Sequence, residues 1–163
     1  MPFIVVSSLD AAADAFARHQ PGYVISILDT NDVTPAPFRS LPKERHLRLD
    51  QKLSETDMAP AILKIARDWA TSNDNILIHC HRGVARSMAI AYILTCVREG
   101  GVCEQKIAKR LREAAPHADP NVLLVSEADA ILGRDDRMVT AILDMCPCCS
   151  TVAAPVVTLP VAP

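Results

Sequence analysis

The chain has 163 residues, of which 50% are apolar and 22% charged, and its formal net charge is −2. A chain of this length and composition folds as one domain with a sizeable core, and its charge argues against a nucleic-acid partner because nucleic-acid binders are usually basic. Its first residues, MPFIVVSSLD, lack the basic and long apolar regions of a signal peptide, and no proline-free run of about 18 uncharged apolar residues is present to span a membrane. We therefore expect a cytoplasmic protein without a membrane span.

The first half of the chain alternates short β-branched runs with segments in which apolar residues recur at helical spacing. The predicted strands are residues 3–6, 23–28, 46–49 and 76–79, and the predicted helices between them are 8–19 and 57–72. Residues 29–42 contain three prolines and are predicted to be a long loop, a kind of segment that is often functional. The fourth strand, ILIH, is apolar on both faces, which is typical of a parallel sheet covered by helices.

The second half of the chain is predicted to be helical, with Asn121 in a capping position. The predicted helices are residues 86–98, 103–115, 119–132 and 134–145. Alternating strands and helices followed by helices alone predict an α/β domain over residues 1–145, with a parallel or mixed sheet of about four strands flanked by helices. Residues 146–163 carry no charge, three cysteines and four prolines, and are predicted to be an irregular tail.

The segment HCHRGVARS, residues 79–87, joins the fourth strand to the next helix. Open α/β sheets bind ligands at the carboxyl ends of their strands, and the N–H groups at a helix N-terminus attract anions. Gly83 lets the backbone curl so that successive N–H groups converge, and Arg86 adds a planar fork of donors suited to phosphate. The same groups would favour the thiolate form of Cys80. The segment therefore predicts a site that holds a tetrahedral phosphate over a nucleophilic sulfur.

This segment resembles the His-Cys-x5-Arg-Ser signature of the protein tyrosine phosphatase superfamily. The position of Cys80 in the middle of the chain is similar to that in the dual-specificity-like branch, and DPNVLLVSEADAIL resembles the Pro-Asn-led helix found downstream in that branch. The resemblance implies a phosphomonoester hydrolase that forms a phosphocysteine intermediate and needs no metal or cofactor. Its substrate would be a phosphorylated protein or a small phosphomonoester.

The resemblance also implies roles for individual residues. Cys80 corresponds to the nucleophile, and Arg86 to the residue that binds phosphate and stabilises the transition state. Ser87 corresponds to the hydroxyl that stabilises the departing thiolate, and His79 to the histidine that orients the loop. The backbone N–H groups that would cradle the phosphate belong to His81, Arg82, Gly83, Val84, Ala85 and Arg86.

The general acid is less closely specified by the sequence. Relatives use an aspartate about thirty residues before the cysteine, and Asp50 ends the third predicted strand at that distance. Asp57 is the alternative, although it stands at a predicted helix start and is equally suited to capping. The segment RLDQKL departs from the paired acidic pattern of many relatives, which leaves open a weak or inactive enzyme.

Other interpretations of the loop and of the remaining cysteines stay open at this stage. The basic side chains of His81 and Arg82 suit an inositol-phosphate or phosphoinositide phosphatase, and a module that binds phosphate without turnover would keep the same loop. A sulfur-transferase would have a shorter loop. Cys96 and Cys103 are expected to be packing residues. No metal site is expected in the tail because no histidine accompanies its three thiols, Cys146, Cys148 and Cys149.

Overall fold

Five strands and six α-helices make up the fold in the computed structural model, which describes residues 1–149 and 154–162. The strands are β1 (Phe3–Ser8), β2 (Tyr23–Leu28), β3 (His46–Asp50), β4 (Ile76–Cys80) and β5 (Val157–Pro160). The helices are α1 (Leu9–His19), α2 (Glu55–Ala70), α3 (Arg86–Arg98), α4 (Glu104–Ala114), α5 (Val122–Leu132) and α6 (Arg137–Leu143). Two short 3-10 turns, Ala36–Ser40 and Lys43–Arg45, lie in the proline-containing segment before β3. The predicted α/β fold is confirmed.

The strands form one mixed sheet in the order β3-β2-β4-β1-β5. The first four strands are parallel, as predicted, because each is joined to the next by a crossover connection. β5 is antiparallel to β1, and the prediction of an irregular tail over 146–163 is wrong for this strand. Val157 and Leu159 are buried at alternate positions, as in a strand that covers the core with one face. Proline is tolerated here because β5 is an edge strand. The tail residues 150–153 and 163 lie outside the described residues.

Helices cover both faces of the sheet and bury its apolar strands. α1 packs with the 3-10 turn at Phe38 on one face, and the remaining helices pack on the other. α3 is the central helix of that second layer, since residues 87–96 are all buried. This agrees with the apolar, uncharged sequence of the segment. None of the described helices is long and apolar enough to cross a membrane.

The carboxyl ends of the four parallel strands lie at one edge of the sheet. Ser8 at the end of β1 is in register with Cys80 at the end of β4, and Leu28 at the end of β2 is in register with Asp50 at the end of β3. The loops that follow these strands therefore meet at this edge, where ligands of open α/β sheets bind.

Candidate active site

The backbone of the Cys80 loop, residues 80–86, is held from outside by hydrogen bonds to its carbonyl groups. The His81 carbonyl accepts from the Leu9 N–H at 3.3 Å, the Val84 carbonyl from the Asp119 N–H at 3.0 Å, and the Ala85 carbonyl from the Asn121 N–H at 3.2 Å. All described peptide bonds are trans, so each carbonyl is antiparallel to the N–H group that follows it. The N–H groups of Arg82, Ala85 and Arg86 consequently point away from these supports.

Gly83 occupies a position that no other residue fits without strain. Its φ of +70° is in the left-handed region, and a Cβ atom there would lie 2.9 Å from both the Ser7 carbonyl carbon and the Ser8 nitrogen. The glycine therefore allows the loop to curl directly against the end of β1. This confirms that Gly83 provides the sharp turn that the sequence predicts.

The sulfur of Cys80 is the acceptor at the floor of the loop. The Gly83 N–H donates to Sγ at 3.2 Å, and the Ser87 hydroxyl lies 3.1 Å from the same sulfur. Cys80 is only 9% exposed, and α3 begins at Arg86 directly after the loop. The sulfur therefore lies beside two hydrogen-bonding groups and close to a helix N-terminus.

The Cys80 loop lines a surface cavity of about 290 Å³. The other residues around the cavity come from the ends of β2 and β3 and from the segment before α5, and they are Ile27, Gln51, Asp119 and Asn121. A larger groove of about 390 Å³ lies between α3, α4 and β5, but no cysteine or histidine lines it. The chemistry of the lining residues, rather than cavity size, identifies the Cys80 cavity as the candidate active site.

Arg86 links the Cys80 loop to the loop after β3. Its guanidinium donates to the Gln51 carbonyl and lies 3.9 Å from the Glu55 carboxylate. Glu55 also accepts a hydrogen bond from the side-chain Nδ2 of Asn121 at 3.2 Å. The side-chain Oδ1 of Asn121 caps α5 by accepting from the Leu124 N–H at 2.9 Å. The capping role predicted for Asn121 is confirmed. Glu55 is not predicted as a site residue from the sequence, because an acidic residue in the first turn of α2 marks an ordinary helix start.

His79 lies in β4 beneath the loop and is fully buried. Its Nε2 is 2.7 Å from the Ser26 hydroxyl, which is in turn 2.9 Å from Nε2 of His46. Burial lowers the pKa of His79 to about 4, with the nearby His46 adding a smaller effect in the same direction. The imidazole is therefore neutral at pH 7, and its ring packs against Phe38 with centroids 5.4 Å apart.

The two carboxylates predicted as general acid are both engaged in local hydrogen bonds. Asp50 accepts from the Thr30 hydroxyl at 2.5 Å and from the Lys52 N–H at 2.8 Å, and these bonds lower its pKa. Asp57 accepts from the Ser54 hydroxyl at 2.7 Å, and its own N–H donates back to that hydroxyl at the start of α2. The structure places neither of them among the residues that line the Cys80 cavity.

His81 is paired with the long loop before β3, a contact that the sequence analysis did not predict. Its Nε2 lies 2.8 Å from Oδ2 of Asp32 and 3.8 Å from Oδ2 of Asp29. The pKa of Asp32 is lowered, chiefly by the Asp29 backbone N–H and less by His81. Among the described residues, these three side chains are the group whose ligand atoms lie close enough together, within 4.8 Å, to hold a cation. All three are partly or fully exposed to solvent.

The other cysteines lie away from the cavity lining. Cys96 is buried in α3, and burial raises the pKa of its thiol to about 12. Cys103 and the three tail cysteines are exposed. Within residues 1–149 and 154–162, the group of side chains that could hold a metal ion contains none of these thiols.

Comparison with known proteins identifies the fold. No protein-family model and no curated protein matches the sequence. Among solved structures, the chain is similar to the PTP-2 phosphatase of Cydia pomonella, with 19% identity, a TM-score of 0.56 and coverage of 78% of this chain and 84% of that one. It is similar to the Yvh1 phosphatase domain from Chaetomium thermophilum, with 19% identity, a TM-score of 0.58 and coverage of 83% and 93%. It is also similar to human DUSP28, with 18% identity, a TM-score of 0.57 and coverage of 80% and 94%.

These structural neighbours confirm the fold that the resemblance of HCHRGVARS implied. The Cys80 loop lies at the carboxyl edge of the sheet, between β4 and α3. The chain has the fold of the dual-specificity-like protein tyrosine phosphatases.

Proposed function

We propose that this protein is a metal-independent phosphomonoester hydrolase that acts on phosphotyrosine or on other phosphorylated residues of proteins through a phosphocysteine intermediate. The observation that carries the proposal is the position of the Cys80 sulfur, which accepts from the Gly83 N–H and lies beside the Ser87 hydroxyl in the loop that leads into the N-terminus of α3. The fold shared with solved phosphatases supports it.

The first step is attack of sulfur on phosphorus. The N–H groups of the Cys80 loop and the Arg86 guanidinium bind the phosphate oxygens and neutralise the charge that develops on them. The Cys80 thiolate forms the S–P bond while the bond from phosphorus to the leaving oxygen breaks. To reach the phosphate, the guanidinium exchanges its contacts with Gln51 and Glu55 for the substrate oxygens.

The second step releases the phosphate from the enzyme. Water attacks the phosphorus, the S–P bond breaks, and Cys80 leaves as a thiolate. The Ser87 hydroxyl lies 3.1 Å from this sulfur and donates to it as negative charge returns. His79 stays a neutral imidazole beneath the loop and is not a general acid near pH 7, so its role is to support the loop from β4.

Hydrolysis of an aryl phosphate in excess chelator tests the proposal. We expect wild-type turnover without added metal and a loss of at least about 10⁴-fold in Cys80→Ser, because a reaction that depends on a covalent nucleophile loses nearly all its rate without it. Cys103→Ser is the matched control, since that thiol is exposed and outside the cavity. Acid-quenched wild-type enzyme should carry phosphate on Cys80, and full activity of Cys80→Ser would contradict the proposal.

The charge around the cavity favours phosphoproteins over inositol polyphosphates as substrates. His81 is paired with the carboxylates of Asp29 and Asp32, so the added positive charge at the mouth comes from Arg82. A polyanion would require more unpaired positive charge than this. Higher kcat/KM on a phosphotyrosine peptide than on an inositol polyphosphate is the expected result. Phosphopeptide binding without a burst of phosphate release would instead indicate a binding module without turnover.

A further inference from the structure

The carboxylates close to the Cys80 cavity differ in how they are engaged. Asp29 and Asp32 are paired with His81, and Glu55 with Arg86 and Asn121. Asp50 accepts hydrogen bonds from Thr30 in the loop after β2 and from the Lys52 N–H, and Asp57 accepts from Ser54 in its own turn. A general acid must instead reach the leaving oxygen at hydrogen-bond distance, so its side chain has to face the substrate cavity.

Asp119 meets this requirement. It is the one carboxylate among the described residues that line the Cys80 cavity, and it is exposed to solvent. Within the described part of the chain, no hydrogen bond or ion pair engages its carboxylate, whereas the other acids around the site are engaged. The Asp119 carboxylate is therefore available to a bound ligand.

The backbone of Asp119 is fixed relative to the Cys80 loop. Its N–H donates to the Val84 carbonyl at 3.0 Å, so the residue that would carry the proton is joined directly to the loop that would carry the phosphate. Arg112 donates to the carbonyls of Pro116 and Ala118, both at 2.8 Å, which holds the segment before Asp119 against α4. Pro120 follows and restricts the backbone of Asp119 to extended conformations.

We propose that Asp119 is the general acid and general base of the site. This inference rests on the proposed phosphatase function and gives Asp119 the role that the resemblance suggests for Asp50 or, as the alternative, Asp57. When the Cys80 thiolate forms the S–P bond, the leaving oxygen takes the proton of the Asp119 carboxyl group as its bond to phosphorus breaks. In the second step the resulting carboxylate accepts a proton from the attacking water, the S–P bond breaks, and Asp119 is again protonated.

The engagement of the two carboxylates separates their roles. Hydrogen bonds from Thr30 and Lys52 lower the pKa of Asp50, so that group holds its proton weakly and would have to give up these bonds to act. Asp119 already lines the cavity that would hold the phosphate, so its carboxyl group can reach the leaving oxygen without such a rearrangement.

Aryl phosphates with leaving groups of different basicity test this assignment. The variants are Asp119→Asn, Asp50→Asn and Asp57→Asn, with Asp14→Asn on the exposed face of α1 as the matched control. We expect Asp119→Asn to lower kcat/KM about 100-fold or more for phosphotyrosine and little for p-nitrophenyl phosphate, whose leaving group departs without protonation. kcat/KM is the measure because it reports the step in which the leaving group departs. Asp119→Glu should recover part of the lost rate.

Each outcome decides the assignment. A selective loss in Asp119→Asn supports it. The assignment is overturned by a selective loss in Asp50→Asn or Asp57→Asn alone, by equal losses on both substrates, or by no loss. Protection of Cys80 from alkylation by inorganic phosphate shows which variants remain folded. If Asp119→Asn does not fold, Asp119→Glu and Asp119→Ser take its place, and the same selective loss on phosphotyrosine is required of them. An inactive wild type, or an active Cys80→Ser, would instead defeat the proposed function itself.

Discussion

The Cys80 loop and the β3–α2 loop (residues 51–54) both join a strand to a helix at the same edge of the sheet, but they are held by different parts of the chain. The carbonyls of the Cys80 loop bond to the start of α1 and to the segment before α5, both far away in sequence. The β3–α2 loop is held mostly by its immediate neighbours. Asp50 accepts from Lys52 and Leu53, and Ser54 bonds with Asp57.

This difference indicates how each loop responds to change. Breaking the Cys80 loop disturbs contacts with several elements at once, so single substitutions there should have large effects on both stability and activity. The β3–α2 loop can lose one local bond and keep the rest of the fold. Its main link to the cavity is the contact between the Gln51 carbonyl and Arg86. Substitutions that separate these two behaviours test the comparison.

The largest effect is expected for Arg86→Lys. The Arg86 guanidinium donates to the Gln51 carbonyl, and its planar fork is shaped to bind two oxygens of one phosphate, whereas an ammonium group offers one point charge. We expect kcat/KM on an aryl phosphate to fall about 100- to 1000-fold, the usual cost of removing one transition-state donor. Arg18→Lys on the exposed end of α1 is the control and should retain wild-type rates. An Arg86→Lys variant within tenfold of wild type would show that the guanidinium fork is not needed.

Gly83→Ala should have the next largest effect, because the added Cβ would lie 2.9 Å from backbone atoms of β1 at a positive φ. Backbone cannot move aside as a side chain does, and we expect the free energy of unfolding to fall by about 2–4 kcal/mol. Urea denaturation measures it. Gly101→Ala is the matched control, since its Cβ would meet nothing within 4 Å and its φ is not positive. Equal small changes in both variants would mean that the Cys80 loop tolerates rearrangement.

The Cys80 loop is well predicted from the sequence because the strand, the glycine and the helix start that shape it lie within a few residues, although the hydrogen bonds that support it come from distant segments. A strand, one glycine with positive φ and a helix start within a few residues fix the positions of the sulfur and the N–H groups, and the structure confirms these elements. The first four strands and the six helices are also confirmed. They could be predicted because the spacing of apolar residues shows which face of each segment is buried.

The remaining parts depend on contacts that spacing does not encode. The orientation of Asp50 is set by Thr30, which comes from another loop, and the position of Asp119 by a bond to Val84. β5 forms because β1 offers an unpaired edge, and the alternation of buried residues in Val157–Pro160 is too short, among prolines, to predict that pairing from the sequence. The pairing of His81 with Asp32 likewise joins residues from different loops.

The pH dependence of stability tests how firmly β4 supports the Cys80 loop. Burial lowers the folded-state pKa of His79 from its usual 6.5 to about 4, so the unfolded chain binds more protons between those values. Stability is therefore full above pH 6.5 and falls as the pH drops towards 4, by about 2 kcal/mol between pH 7 and pH 5. Urea denaturation at both pH values measures the difference.

In His79→Gln this pH dependence should become shallower, leaving a smaller dependence from His46, whose pKa burial also lowers. His19→Gln, near the end of α1, should keep the wild-type pH dependence. A His79→Gln variant with the wild-type dependence would show that another group is responsible for it. His79 would then not be the buried neutral support of the Cys80 loop.

The smallest effect is expected in the β3–α2 loop itself. The Ser54 hydroxyl accepts from the Asp57 N–H at 3.2 Å and caps α2, so Ser54→Ala should cost about 1 kcal/mol in unfolding free energy. Ser54→Asn should restore most of it, because asparagine caps as well as serine. We expect kcat/KM to stay within about twofold of wild type in both variants. The cap satisfies a local N–H group, and neither Ser54 nor Asp57 lines the Cys80 cavity. If Ser54→Ala instead lowered kcat/KM tenfold and Ser54→Asn restored it, the cap would be needed to position Glu55 beside Arg86. The two loops would then act as one unit.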